Sequence, residues 1–225
     1  MLTRFILTYI APNEILHVAG LGCITAARVM VLIVICSLIW VPIGVWVGLR
    51  PQIADIVQPI AQFFAAFPAN LLFPIVVVII IKYQLNVEIW TTPLMILGAQ
   101  WYILFNVIAG TSAIPKELRM VADNLGLKGW LWWRRLILPA VFPYYITGAI
   151  TAVGGAWNAS LVAEVVNWGD TTLHSTGLGA YISSYTGDYV HTALGVSVMC
   201  LFVLILNRLI WRPLYRQAET RFTLN

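Results

Sequence analysis

The residues of this sequence that could do chemistry are few and stand apart from one another. Its three histidines and three cysteines form no cluster, and no two cysteines have the CxxC spacing of a metal or redox site. Serine, histidine and aspartate likewise do not combine into an arrangement for nucleophilic catalysis. The sequence therefore predicts no catalytic residue and no metal site, and the odd, scattered cysteines are interpreted as small buried hydrophobic residues.

Polar residues inside apolar stretches are the more informative candidates, because a polar group within a bilayer is costly and usually has a function. Amides in such stretches also often just bond a neighbouring helix, and Glu164 could instead lie solvated at an outer border. Phe67 belongs to a group of phenylalanines that could form an apolar gate, although core packing is their more ordinary explanation. The candidates for lining a solute pathway are Phe67, Asn70, Gln100, Asn106, Asn158 and Glu164.

The composition identifies the environment of these residues. Of the 225 residues, 60% are hydrophobic and only 10% are charged, and the mean hydropathy is +0.86. Soluble domains are nearer half apolar and a quarter charged, so an ordinary soluble enzyme, a disordered chain and a nucleic-acid-binding protein are excluded. In so apolar a chain, the net charge of +4 indicates lysine and arginine residues that are collected on the cytoplasmic side of a membrane. The sequence indicates an integral membrane protein.

Five stretches are long and apolar enough to cross a bilayer as helices, which predicts an all-α, polytopic fold. The second stretch is interrupted by Pro68 and Pro74. The segment 1–27 is interpreted as a helix lying along the interface, with a sixth span as the alternative. The predicted domains are this segment, a transmembrane domain at 28–212 and a tail at 213–225. The five spans are 29–49, 59–81, 89–109, 139–166 and 190–210.

The distribution of positive charge predicts the orientation of the spans. The stretch 110–136 and the tail after Asn207 hold nine of the thirteen basic residues, and two spans separate these two regions. The connection 167–189 has no lysine or arginine. The positive-inside rule therefore places the N-terminus outside and the C-terminus in the cytoplasm.

The connection 111–138 is the most informative stretch, because it is too polar to cross the bilayer and too long for a turn. Ile114, Leu118, Val121 and Leu125 share one face of a predicted helix that begins after Pro115. Gly126 and Gly129 then allow the chain to turn. Such a hairpin could dock on the membrane surface or against a cytoplasmic partner, and the residues alone favour neither.

This connection resembles the cytoplasmic signature loop of ABC-importer permeases, in which E-A-A is followed by three residues, Gly, nine residues and Ile-x-Leu-Pro. Ala122, Gly126, Leu138 and Pro139 match at the family spacing. Met120 replaces the glutamate of the pattern, and Glu117, one turn earlier, is a candidate to take over its contact. The residues expected to couple to an ATPase are Glu117, Leu118, Val121, Ala122, Leu125, Gly126, Leu138 and Pro139.

Three other segments are similar to the branch of this family that carries nitrate, sulfonates and taurine. They are the proline-bracketed break 68–74, the pair Ala163-Glu164, and the Gly177-Leu178-Gly179 of an outer loop. The resemblance covers the chain from about Ala27 onward and implies a type I importer permease with five core helices, the MetI-like arrangement.

The resemblance also implies partners. Two permease domains would pair around a central pathway, two cytoplasmic ATPase subunits would bind below, and a solute-binding protein would dock from outside, all at a bacterial cytoplasmic membrane. The sequence has no GxxxxGK[ST], so ATP and Mg²⁺ would be held by the ATPase and this chain would bind no cofactor. The rival hypotheses are an ATP-independent carrier or channel and a membrane-bound enzyme. The chain is short for this branch, which suggests a short form or a piece of a fused permease.

Overall fold

The computed structural model describes residues 10–168 and 171–221. The first nine residues of the predicted N-terminal segment and the last four of the predicted tail lie outside this range. The helices are α1 (Pro12–Gly48), α2 (Pro51–Ala66), α3 (Phe73–Lys82), α4 (Val87–Trp90), α5 (Gln100–Ser112), α6 (Lys116–Asn124), α7 (Gly129–Trp132), α8 (Leu138–Ala163), α9 (Leu178–Ser184), α10 (Tyr189–Leu206) and α11 (Arg212–Arg221).

Shorter elements connect these helices. Two 3₁₀ turns (Ala69–Leu72 and Thr92–Ile96) precede α3 and α5, and two π-helical turns (Trp133–Ile137 and Asn207–Trp211) precede α8 and α11. The strands β1 (Val165–Trp168) and β2 (Thr171–His174) form an antiparallel hairpin with Val165 opposite His174. The predicted all-α architecture is confirmed, with this hairpin as a small exception.

Within the described residues, three helical segments are long and apolar enough to cross a membrane: Pro12–Gly48, Gly129–Ala163 and Tyr189–Thr220. The count rises to five if each of two bent helix pairs forms one span. That upper number equals the five spans expected from the sequence, whose orientation stays a prediction.

The first helix extends further toward the N-terminus than the sequence suggested. The predicted boundary after Ala27 falls inside α1, which runs unbroken for 37 residues and is therefore about 55 Å long. Gly22 does not break the helix. It packs closely against the ring of Phe202, and a side chain at position 22 would collide with that ring. The part of α1 before residue 28 is thus not a separate helix.

Prolines set the breaks in the middle of the chain. Helix α2 ends at Ala66, Phe67 is extended, and Pro68 leads into the 3₁₀ turn before α3, so the predicted interruption is confirmed. The predicted span 89–109 is also interrupted, which the sequence analysis did not anticipate. Pro93 stands in the 3₁₀ turn between α4 and α5. Proline has no backbone N–H to continue an α-helix, which accounts for the interruption.

The chain forms two compact units. Unit one contains the described residues up to Leu32 together with Pro68–Gly98 and Val153–Asn207. Unit two contains Ile33–Phe67, Ala99–Ala152 and the described residues from Arg208 onward. Helices α1 and α8 each contribute residues to both units.

Glycines allow close helix packing in unit two. A Cβ on Gly44 would lie 2.7 Å from the Val107 side chain, and one on Gly48 would lie 2.8 Å from the Ile108 carbonyl oxygen. The spacing of Gly44 and Gly48 is that of a GxxxG pair, which lets two membrane helices approach closely. Helix α1 therefore packs against α5 through a glycine surface.

Helix α8 packs on α5 in the same way. A Cβ on Gly148 would lie 2.7 Å from the Tyr102 carbonyl oxygen and 2.9 Å from Cβ of Asn106. Backbone cannot move aside as a flexible side chain can, so this position has room only for glycine. Gly154, further along α8, has no neighbour within 4 Å of such a Cβ.

The interior of unit one contains a buried carboxylate. Glu164 follows α8, its side chain is fully buried, and it accepts hydrogen bonds from the backbone N–H groups of Gly179 (2.6 Å) and Ala180 (3.1 Å). Thr25 donates a third bond of 2.7 Å, and the Arg28 guanidinium lies 3.5 Å away. Glu164 therefore satisfies first-turn N–H groups of α9, which have no partner inside their own helix.

The surrounding loop is bonded by side chains from distant parts of the sequence. Thr25 accepts a hydrogen bond from the Leu178 N–H (2.9 Å), and Arg28 donates to the Thr176 carbonyl (2.6 Å). Glu88 accepts from the Thr176 N–H and hydroxyl and forms an ion pair with Arg28. These polar side chains thus satisfy the main chain of residues 176–180.

The glycines of the Gly177-Leu178-Gly179 segment leave space for this arrangement. A Cβ on Gly177 would overlap the Glu164 carboxylate, and one on Gly179 would overlap the Ser160 backbone. Gly177 has an extended backbone, so the requirement here is for space and not for an unusual dihedral angle.

We expect Thr25→Val to destabilise the protein by about 1–3 kcal/mol, because it leaves the buried Leu178 N–H without its side-chain acceptor and removes one of the donors to Glu164. Thr25→Ser, which retains the hydroxyl, is the matched control and should lie much nearer the wild type. Thermal unfolding in detergent measures both. Equal stability of the two variants would contradict the role given to the hydroxyl.

We expect Gly148→Ala to destabilise by about 1–3 kcal/mol through overpacking against Tyr102. Gly154→Ala in the same helix should be neutral or stabilise by up to about 1 kcal/mol, since alanine is the better helix former. The comparison of their melting temperatures tests the packing of α8, and the reverse order would refute it.

Candidate functional site

The predicted signature loop contains a short helix held against the body of unit two. Helix α6 starts directly after Pro115, and the buried Ile114 and Ala122 side chains anchor its two ends. The Arg119 guanidinium donates a 2.8 Å hydrogen bond to the Thr111 carbonyl near the end of α5. These contacts attach α6 to α5, so the two helices can move together.

The apolar residues that share one face of this helix by their spacing are not equally buried. Ile114 is buried and Leu118 is partly buried, whereas Val121 is 51% exposed and Leu125 70% exposed. Met120, which replaces the glutamate of the family pattern, is 58% exposed beside them. The exposed apolar side chains Met120, Val121 and Leu125 are named the docking face below, and Glu117 is also exposed.

The end of α6 explains why glycine occurs at position 126. The Leu127 N–H bonds the Ala122 carbonyl (2.9 Å) and the Gly126 N–H bonds the Asp123 carbonyl (3.0 Å), which is a Schellman motif. Gly126 has a φ of +63°, a conformation that glycine adopts without strain. A side chain at position 126 is therefore disfavoured by the backbone conformation. It would not collide with a neighbour, since no atom lies within 4 Å of a Cβ there.

The chain returns from this turn through a widened helix. Leu136 and Ile137, in the π-helical turn, are buried, and this turn packs against α6. Leu138 begins α8 and is 40% exposed, and Pro139 follows it, partly buried. The signature residues thus lie on both sides of the turn that connects α6 to α8.

Three of the predicted pathway residues lie in unit two. Gln100 accepts a 3.0 Å hydrogen bond from the Trp40 indole on α1, which is the bond to a neighbouring helix that the sequence offered as an alternative. Asn106 donates a 2.7 Å bond to the Tyr102 carbonyl of its own helix. Phe67 is partly buried, and its ring lies 6.1 Å from that of Phe63.

The other three lie in unit one and differ in exposure. Asn70, in the 3₁₀ turn after Pro68, and Asn158, on α8, are exposed. Glu164 is buried in the network described above, so the alternative of a solvated carboxylate at an outer border is wrong. Its bonds to Thr25 and to the α9 backbone give it a structural role.

The sequence analysis missed Thr25, Arg28, Glu88 and Arg119 as partners. Arg28 and Glu88 are lone charges within or beside apolar stretches, and that signal alone marks them as functional candidates. Their pairing was not visible, because 60 residues separate them along the chain.

The sequence is similar to those of known membrane transport proteins. Residues 40–214 match the model of one protein family. That family is described as the binding-protein-dependent transport system inner membrane component. The chain is 29% identical to the bicarbonate transport system permease protein CmpB of Synechococcus elongatus, over 79% of this chain and 64% of that protein. It is 26% identical to the nitrate import permease protein NrtB of Leptolyngbya laminosa, over 81% and 63% respectively. It is 24% identical to the taurine transport system permease protein TauC of Escherichia coli, over 80% and 62%.

The chain thus spans a little less than two thirds of the length of these relatives. The matched range contains the helices from α2 to α10 and the whole signature loop. The protein is therefore a multi-pass membrane protein that belongs to the family of binding-protein-dependent transport system inner membrane components.

Proposed function

We propose that this chain is the membrane-spanning subunit of an ABC importer, forming the pathway for a small solute and coupling it to ATP hydrolysis on separate subunits. The observation that carries the proposal is the docking face on α6. Its apolar side chains are exposed on a helix that is fixed to α5 by Arg119 and ended by the Gly126 turn. An exposed apolar surface on a rigidly held helix is suited to binding a protein partner.

The partner that fits is a cytoplasmic ATPase dimer. Closure of that dimer on ATP would push α6, and the bonds to α5 would pass the movement to the membrane helices as a rigid lever. The result would be a shift between inward- and outward-open states, biased by ligand. A second permease domain, from another copy or another chain, would complete the pathway, and a solute-binding protein would deliver the solute from outside.

The solute class follows from the names of the relatives. Bicarbonate, nitrate and taurine are small and each carries an anionic group, so we propose a small anionic or zwitterionic solute. Asn70 and Asn158 are exposed and remain candidates for lining its pathway, whereas Glu164 is held by the protein itself. The predicted location is the bacterial cytoplasmic membrane, with α6 on the cytoplasmic side.

The alternative is an ATP-independent carrier or channel. Cross-linking separates the two functions: a photo-reactive reagent attached to Leu125→Cys should capture a protein with a GxxxxGK[ST] motif, identified by mass spectrometry. Lys82→Cys, at the end of α3, is the control position and should not capture it. Labelling of Leu125→Cys by lipid alone would favour the ATP-independent alternative.

We expect Val121→Asp to reduce solute uptake and solute-stimulated ATP hydrolysis by about tenfold or more, because docking would bury an unpaired charge. Val121→Leu retains an apolar side chain and is the matched control. Both are measured in proteoliposomes containing the assembled transporter. Unchanged uptake and ATPase stimulation in Val121→Asp would refute the docking face.

We expect Gly126→Ala to reduce coupling, because alanine is strained by about 1 kcal/mol at a positive φ and would change the angle at which α6 ends. Gly126→Asn, which tolerates this conformation better, should retain more uptake per ATP hydrolysed. The ratio of solute transported to ATP consumed measures the effect. An equal ratio in both variants would show that the turn conformation does not matter.

A further inference from the structure

An apolar groove of about 610 Å³ opens in unit two between α1 and the start of α8. Its only hydroxyls are already bonded: Ser37 donates to the Ile33 carbonyl (2.6 Å) and lies 2.9 Å from the Tyr145 hydroxyl. Apart from these hydroxyls and the indole N–H groups of Trp130 and Trp133, the lining is hydrocarbon, so the groove is suited to an acyl chain. The lining includes Leu38, Val41, Pro42, Trp130, Trp133 and Leu138.

The groove lies where the regular helix geometry changes. Pro42, inside α1, lines the groove. A proline inside a helix removes one backbone hydrogen bond, and its ring pushes the preceding turn away. The π-helical turn Trp133–Ile137 lies on the opposite wall and widens the helix there. The sequence thus places a helix irregularity on each side of the groove.

Basic residues are neighbours of the groove lining along the chain. Arg134 and Arg135 directly follow the lining residue Trp133, and both are exposed. Lys128, just before α7, is exposed as well, and the sequence contains no aspartate or glutamate between Asn124 and Ala163. An apolar groove in a segment whose exposed charges are all basic is suited to an amphiphile that has an anionic head.

We propose that this groove binds an anionic phospholipid, with one acyl chain along Leu38 and Trp130 and the phosphate at Arg134 and Arg135. Indole rings favour the headgroup level of a bilayer, which is where Trp130 (72% exposed) and Trp133 would then lie. The proposal depends on the predicted cytoplasmic orientation of this segment, because anionic lipids attract basic residues at that surface. It adds to the proposed function a lipid site separate from the docking face on α6.

Native mass spectrometry of the assembled protein, released from nanodiscs containing equal phosphatidylglycerol and phosphatidylcholine, tests the proposal. We expect phosphatidylglycerol to be retained at least about fivefold over phosphatidylcholine, since each basic residue near an anionic surface contributes roughly that factor. Arg134→Gln with Arg135→Gln should abolish the preference. Retention of the preference in that double variant would overturn the proposal.

The matched control is Arg208→Gln with Arg212→Gln. These arginines are also exposed and lie in or beside a π-helical turn, but the tryptophan of that turn, Trp211, is buried. The control should keep the preference for phosphatidylglycerol. Loss of the preference in the control alone would place the lipid elsewhere and refute the site.

The acyl-chain part of the proposal has its own test. Leu38 is 72% exposed, so Leu38→Gln should fold normally while making the groove polar, and it should reduce retained phosphatidylglycerol by about half or more. The native Cys23 and Cys200 are exposed, so the three native cysteines are first replaced by serine. In that background, Leu38→Cys should not cross-link to a second copy with a bis-maleimide in membranes, because lipid would occupy the groove. A cross-linked dimer would overturn the proposal, whereas loss of ATPase coupling with the lipid preference intact would count only against the proposed function.

Discussion

The need to satisfy every backbone hydrogen bond away from water controls this structure. A membrane helix meets the need by itself, but the described residues between Ala163, the end of α8, and Leu178, the start of α9, are not helical. Side chains from other elements then bond the loop: Thr25 accepts from Leu178, Glu88 accepts from Thr176, and Glu164 accepts from Gly179 and Ala180. Arg28, Glu88 and Glu164 therefore support main chain, and the pairing of both carboxylates with Arg28 balances the charge that this support requires.

This constraint explains which features the sequence could predict. Pro68 disfavours helical geometry in the residue before it, and Gly126 ends a helix because few other residues accept a positive φ, so both are local effects. The helical composition and the exposed apolar residues of α6 likewise follow from local hydropathy and spacing. The family spacing identified the loop because it is encoded within 20 consecutive residues.

The remaining features depend on contacts between distant parts of the chain. Thr25 and Glu164 are 139 residues apart, and nothing in either neighbourhood indicates the other. Glycine inside a helix weakens it by itself, yet at Gly22 the contact with Phe202 makes the absence of a side chain favourable. The family pattern contained Ala163-Glu164 and Gly177-Leu178-Gly179 as separate motifs, whereas the structure joins them as one hydrogen-bonded arrangement.

The arrangement around Glu164 also bears on the solute. An uncompensated carboxylate near a pathway would repel an anion, and Glu164 is the one acid of the predicted fourth span. Burial, three short hydrogen bonds and the guanidinium of Arg28 at 3.5 Å remove that charge from contact with any solute. For the proposed anionic solute, this neutralisation would remove a repulsion that the low dielectric of the membrane interior would otherwise extend.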